Sequence, residues 1–126
     1  PLIVSGKDVK RKGTSDASLI QTFDIPALIL NYIGGDTSFG DGESFIHLLS
    51  EESNHREYIF SESVNDNNVV FVVKNKNYKL LNKNGNEEFY YLGNNINERN
   101  DLLENLLNSN EKNNLEELRE YYNYLK

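Results

Sequence analysis

The 126-residue chain has no cysteine, no methionine and no tryptophan, and its only prolines are Pro1 and Pro26. The lack of cysteine excludes disulfides, thiolate metal sites and a cysteine nucleophile. No apolar run comes near the roughly 18 residues that a membrane helix needs, and no signal-peptide pattern opens the chain. A chain that starts at Pro1 without an initiator methionine is expected to be processed or an excerpt of a longer protein. Positive charge is the minority: 13 Lys and Arg stand against 20 Asp and Glu, for a net charge of -7. Such a surface repels a phosphate backbone, so nucleic acid is not an expected partner.

The length suits one domain or a piece of a larger one. Mean hydropathy is -0.66, yet Leu, Ile, Val, Phe and Tyr recur in blocks, which marks a globular rather than a disordered chain. Asn occurs 20 times; it favours turns and caps, and with the Lys and Glu excess it fits the codon bias of an AT-rich genome. The basic residues Lys7, Lys10, Arg11 and Lys12 cluster near the start, while residues 87–126 are strongly acidic. The cluster has no interleaved aromatics and reads as a solvated loop.

Residues 2–5 form a short apolar run that reads as a buried strand, followed by a polar loop with Gly6 and Gly13. Apolar residues from Leu19 to Ile33 take a mostly helical spacing, with Ser15 or Asp16 as cap and Gly34-Gly35 as stop. Pro26 is expected to kink this helix, or to mark a second one capped by Asp24. Residues 34–44 are a turn-rich loop, and residues 45–49 suit one helical turn. Four strand-like blocks follow at 57–63, 69–74, 78–81 and 87–92. Asn75-Lys76-Asn77 and Asn84-Gly85 are turn signals between them, so an antiparallel meander is the economical arrangement. Residues 98–107 and 111–124 carry leucines and tyrosines at helical spacing, and Asn97 suits the cap of the first.

The fold class is therefore α+β: a C-terminal four-stranded antiparallel sheet packed on a terminal helix, preceded by a strand-loop-helix segment. The expected division is residues 1–50 and 51–126.

No catalytic constellation emerges. His47 and His55 lack the spacing of a helical metal site and read as structural. The loop 36–43 is rich in oxygen donors but departs from the calcium-loop pattern. Gly34, Gly35, Gly40 and Gly42 make no phosphate-binding motif. Ser61-Glu62-Ser63 lies in no nucleophile elbow. The adjacent pairs Glu51-Glu52, Glu87-Glu88 and Glu116-Glu117 diverge and read as surface charge. Tyr90, Tyr91, Tyr121, Tyr122 and Tyr124 are expected to join sheet and helix in one core, with hydroxyls reaching solvent. No catalytic, cofactor-binding or metal-ligating residue is assigned.

Four segments, in order, resemble the C-terminal part of a sulfatase of the alkaline-phosphatase-like superfamily. Pro1-Leu-Ile-Val, Gly13, Asp16 and the stretch from Leu19-Ile20 through Asp24-Ile-Pro26 to Gly34 resemble "VPLII…G…SDALVSLIDLAPTLLDLAG". Asp41-Gly42-Glu43-Ser44-Phe45-Ile46-His47-Leu48-Leu49 resembles "DGKSLLPLL", with His47 where the family often has Pro. Arg56-Glu57-Tyr58-Ile59-Phe60-Ser61-Glu62 resembles "REYVFSE". The run from Val72 to Leu81, then Glu87-Glu88-Phe89-Tyr90-Tyr91-Leu92 and Asn97-Glu98-Arg99-Asn100-Asp101-Leu102, resembles "vRdgrYKLI…EELYDL…DPNERNNL". Asn95-Ile96 replaces the family's Asp-Pro, and Lys74 is the base nearest to a common Arg.

The resemblance implies that the strand-loop-helix segment is the end of an α/β catalytic domain and that the sheet with its helix is the small C-terminal subdomain. It implies sulfuric ester hydrolysis in the parent enzyme, with a formylglycine hydrate made in a C/S-x-P-x-R motif and a calcium ion, all upstream of Pro1. None of these residues maps onto this chain, which is expected to be inactive alone. The implied partners are the upstream catalytic domain and a sulfated small molecule or glycan, whose pocket rim the loops 34–42 or 63–68 would shape. The compartment would be a bacterial cytoplasm or the outside of the cell. Two alternatives stand beside this reading: a freestanding acidic protein-binding module that docks through the helix near the C-terminus, and a phosphoester or phosphoglycerol-transferring enzyme of the same superfamily.

Overall fold

The computed structural model describes residues 2–37, 40–66, 68–93 and 98–125. The proposed cap Asn97, the pair Asn95-Ile96, and Ser38, Phe39 and Asn67 of the two candidate rim loops lie outside the described residues. The chain divides into two compact units, Pro1–Arg56 and Glu57–Lys126.

The second unit is the expected meander. Strands β1 (Ile59–Asn65), β2 (Asn68–Lys74), β3 (Tyr78–Lys83) and β4 (Asn86–Tyr91) pair antiparallel in the order β1-β2-β3-β4. Asn84 and Gly85 both take positive φ, 54° and 89°. That is the two-residue hairpin turn whose twist matches the flanking strands, and few residues other than Asn and Gly enter it cheaply. Between β2 and β3 the Asn75 carboxamide oxygen accepts the N–H groups of Asn77 and Tyr78 at 2.9 and 2.8 Å, so the side chain itself closes the turn.

Register places Phe60, Val73, Leu80 and Phe89 directly opposite one another across all four strands. Val73, Leu80 and Phe89 are fully buried. Helix α2 (Ser109–Leu125) lays Leu115 and Leu118 on this face, joined by Tyr121 and Tyr122. Each large side chain so buried contributes about 1.5–3 kcal/mol. The helix starts in a reciprocal cap: Asn108 Oδ1 accepts the Glu111 N–H at 3.0 Å, and Glu111 Oε2 accepts the Asn108 N–H at 2.8 Å. This is the capping box with Asn in the Ser/Thr position.

The helix expected over 98–107 is not formed; only a 3-10 turn, Leu102–Glu104, appears there. Asp101 is the reason. One carboxylate oxygen accepts both the Leu103 N–H, at 3.0 Å, and the outward N–H of Phe89 on edge strand β4, at 2.9 Å. The segment is tied to the sheet edge, and its leucines split: Leu102, Leu103 and Leu107 join the core, while Leu106 is wholly exposed. The tyrosines also separate. Tyr122 stacks on Phe71 and Tyr121 on Tyr58, but Tyr124 is exposed. Tyr90 points away from α2 and hydrogen-bonds Glu88.

The first unit has little regular structure. Residues 2–5 form no strand, and Leu2, Ile3 and Val4 are 49%, 85% and 36% exposed. A strand needs a neighbour to satisfy its N–H and C=O groups, and among the described residues none pairs with this run. Helix α1 spans only Asp24–Tyr32. Pro26 therefore falls in the first turn, where its missing N–H is not needed. The expected cap Asp24 does not cap: Phe23 occupies that position and makes no side-chain hydrogen bond to the helix. Asp16 caps no helix either; it accepts the Ser18 N–H at 2.8 Å. The stop at Gly34-Gly35 is as expected, with Gly34 at φ 73° and N–H groups of Gly34 and Gly35 returned to Asn31 and Leu30 carbonyls at 3.2 and 2.8 Å. Residues Ile46–Leu49 form the expected single turn, a 3-10 helix, and Leu28, Phe45 and Leu48 make a small core. Arg11 is not merely solvated: it pairs with Asp16 at 2.6 Å and donates to the Leu48 carbonyl at 3.1 Å.

Candidate functional site

The sequence places a single carboxylate, Asp24, in an otherwise apolar stretch, and the fold buries it completely. An unpaired buried carboxylate is prohibitively costly, so its partners define the site. Arg56 supplies two of its nitrogens, with Nε lying 3.0 and 3.2 Å from the two carboxylate oxygens and Nη2 closing the fork. The N–H of Gln21 donates to Oδ2 at 2.7 Å and that of Glu43 to Oδ1 at 2.9 Å. Burial opposes the charge, but the guanidinium and the two N–H donors outweigh it and hold the Asp24 carboxyl below its usual range.

Arg56 is held on several sides. It also donates to the Asp41 carbonyl at 3.0 Å, lies 3.7 Å from a Glu43 oxygen, and sits over the Phe23 ring at 5.4 Å. The residue preceding it, His55, is nearly inaccessible, with Nε2 3.7 Å from Asp24 Oδ2. That nitrogen makes no hydrogen bond among the described residues. Its ring meets Phe45 edge-on and lies 5.4 Å from the ring of His47. Burial pushes the His55 pKa down, helped by His47 and Arg56; Asp24 and Glu43 pull the other way without reversing it. Gly42 is required here. A Cβ at that position would run into the Phe23 carbonyl, so only glycine lets the 41–43 loop lie against the start of α1.

This geometry locks three segments together. A carboxylate saturated by a guanidinium fork and two backbone donors has no lone pair free for general-base work. The two histidines that sequence spacing kept apart are neighbours in space. No three His, Asp or Glu side chains among the described residues are arranged to hold a metal ion, and the most buried carboxylate is already saturated by its donors. Ser61, Glu62 and Ser63 lie exposed on edge strand β1. Glu87 and Glu88 do diverge, Glu87 to Arg119 on α2 and Glu88 to Tyr90. Sequence reasoning missed the Asp24–Arg56 pair. Its available signal was a lone charge amid Leu19, Ile20, Phe23, Ile25, Ala27 and Leu28.

Comparison with known proteins resolves the architecture. No protein-family model matches the chain, and no curated protein matches it. Solved structures do. A protein of Bacteroides thetaiotaomicron VPI-5482 assigned as a sulfatase aligns over 94% of this chain with a TM-score of 0.76 at 21% identity. A 2-O GAG sulfatase aligns over 96% with a TM-score of 0.69 at 19% identity. The fold is that of a sulfatase C-terminal part. The chain spans only 27% of the length of either sulfatase. In this sulfatase-like fold the Asp24–Arg56 lock belongs to the first unit, and the sheet with α2 makes up the second.

Proposed function

We propose that this chain is the C-terminal part of an enzyme that hydrolyses sulfuric esters, with a sulfated glycan as the substrate class. The observation that carries the reading is an alignment over nearly all of this chain but little more than a quarter of each sulfatase. The role of these residues is then scaffolding. Residues 1–50 complete an α/β catalytic domain, and residues 51–126 form a subdomain whose loops help to shape a pocket rim. The exposed apolar side chains of the first unit, Ile3 at 85%, Ile29 at 54% and Ile33 at 70%, support it: they suit a surface that more chain would cover. The chemistry in the whole enzyme is supplied by a formylglycine nucleophile and a calcium ion. These residues supply neither, and the chain alone is inactive.

The test is to assay the full reading frame and the 126-residue chain separately on an aryl sulfate and on a sulfated glycan. Hydrolysis by the longer protein, abolished when its C/S-x-P-x-R nucleophile is changed to Ala, is the expected result. A full frame without that motif and without sulfatase activity would overturn the proposal.

A further inference from the structure

Although the chain is acidic overall, the sheet face turned away from α2 carries positive charge. Register puts Lys74 on β2 directly opposite Lys79 on β3. Like charges facing each other across a strand pair are destabilising. Both side chains are half-buried, so water relieves their repulsion only in part. With Lys76 in the hairpin turn they line an open cleft of about 540 Å³, whose other walls are the apolar side chains of Ile59, Val72 and Leu92.

One acidic residue enters this cleft. Glu98 Oε2 lies 2.6 Å from Lys79 Nζ. Glu98 holds a positive φ of 51°, an unfavourable backbone region for a residue other than Gly or Asn. Its carboxylate neutralises one lysine of the three. Lys74 and Lys76 make no ion pair among the described residues.

We propose that this cleft is a binding subsite for an oxyanion carried on a sugar ring, in the form of a sulfo group. Lys74 and Lys76 receive the anion, the Ile59–Val72–Leu92 wall takes the apolar face of the ring, and Glu98 stands in for the anion at Lys79 when the cleft is empty. The choice of sulfo over other oxyanions rests on the hydrolase reading; the affinity for an anion rests on the three lysines alone.

The experiment is calorimetric titration of the 126-residue chain with a sulfated monosaccharide, its unsulfated parent, the matching sugar phosphate and inorganic sulfate, at constant ionic strength set by chloride. Saturable binding of the sulfated sugar, weakened at least tenfold in Lys74→Ala/Lys76→Ala and unchanged in the α2 control Lys112→Ala, is expected. Glu98→Gln, which frees Lys79, is expected to tighten binding severalfold. Thermal unfolding confirms that each variant is folded. Wild-type affinity in the double lysine variant, or sulfate binding no better than chloride, overturns the subsite. A clear preference for the sugar phosphate overturns the sulfo assignment. Failure of the hydrolase reading shows separately, as a full-length protein that cleaves no sulfate ester while the lysine-dependent binding persists.

Discussion

The two units are stabilised by opposite means. The unit of residues 57–126 owes its order to apolar side chains in register: one row across four strands, closed by Leu115 and Leu118 of α2. The unit of residues 1–56 has a small core of Leu28, Phe45 and Leu48 and leaves Leu2, Ile3, Ile29, Tyr32 and Ile33 exposed. A buried ion pair does there what hydrophobic burial does in the other. Apolar burial is non-directional and tolerates compensation. An ion pair out of water is all-or-none, because either partner left alone is a buried charge.

That contrast can be broken most sharply at Arg56. Replacing it with Ala is expected to destabilise the first unit by about 3–5 kcal/mol, read as faster amide exchange in α1 with the sheet amides unchanged. The double replacement Asp24→Leu/Arg56→Met removes both charges and is expected to cost much less than either single change. An equal loss would show that the pair's geometry, and not its charge, matters most. In the second unit, Leu118→Ala is expected to cost about 2–5 kcal/mol through lost burial and the cavity left behind, seen as a lowered denaturation midpoint for the sheet.

Acid should separate the two units further. The folded His55 pKa lies below its ordinary 6.5. The unfolded chain therefore binds the proton more readily, and the contribution of His55 is full above pH 6.5 and lost as the pH falls below it. Asp24, also depressed, begins to lose its contribution only in the range of an ordinary carboxyl. Stability of the first unit, followed through α1 exchange, is expected to decline as the pH falls below about 6.5; His55→Gln should flatten that decline. Persistence of the slope in the variant would move its origin to another group. The smallest expected effect is at the start of α2: Asn108→Ala removes half of the reciprocal cap and should cost about 1 kcal/mol, measured by thermal unfolding.

Much of the second unit was legible in the sequence because its signals are local. The unbroken apolar run at 69–73, Asn84-Gly85 and the 3-4 spacing of leucines and tyrosines near the C-terminus each report on a few neighbouring residues. The errors arose where a distant partner intervened. Leucines 102, 103, 106 and 107 have helical spacing, yet the Asp101 bond to the Phe89 N–H ties that segment to a sheet edge. The run Leu-Ile-Val at 2–4 reads as a strand, but a strand exists only with a neighbour. Asp24 reads as a cap, and became instead the acceptor for Arg56, 32 residues away. The motif resemblance did contain both ends of that pair, since Asp24 and Arg56 fall in two of its four segments, but it did not say that they meet.

The sequence by itself determined the four-stranded meander with its terminal helix, the hairpin turns at 75–77 and 84–85, the acidic balance and the absence of any cysteine chemistry, because each depends on residue type or on contacts within a few positions. Only the tertiary structure decided which charges are buried, which histidines are neighbours and which lysines confront one another across the sheet. Those outcomes depend on register and on long-range closure, where a shift of one residue would turn Lys74 and Lys79 to the opposite face. Pairing energies of buried charges are set by distances of a few ångströms between segments tens of residues apart, and no local pattern encodes such distances.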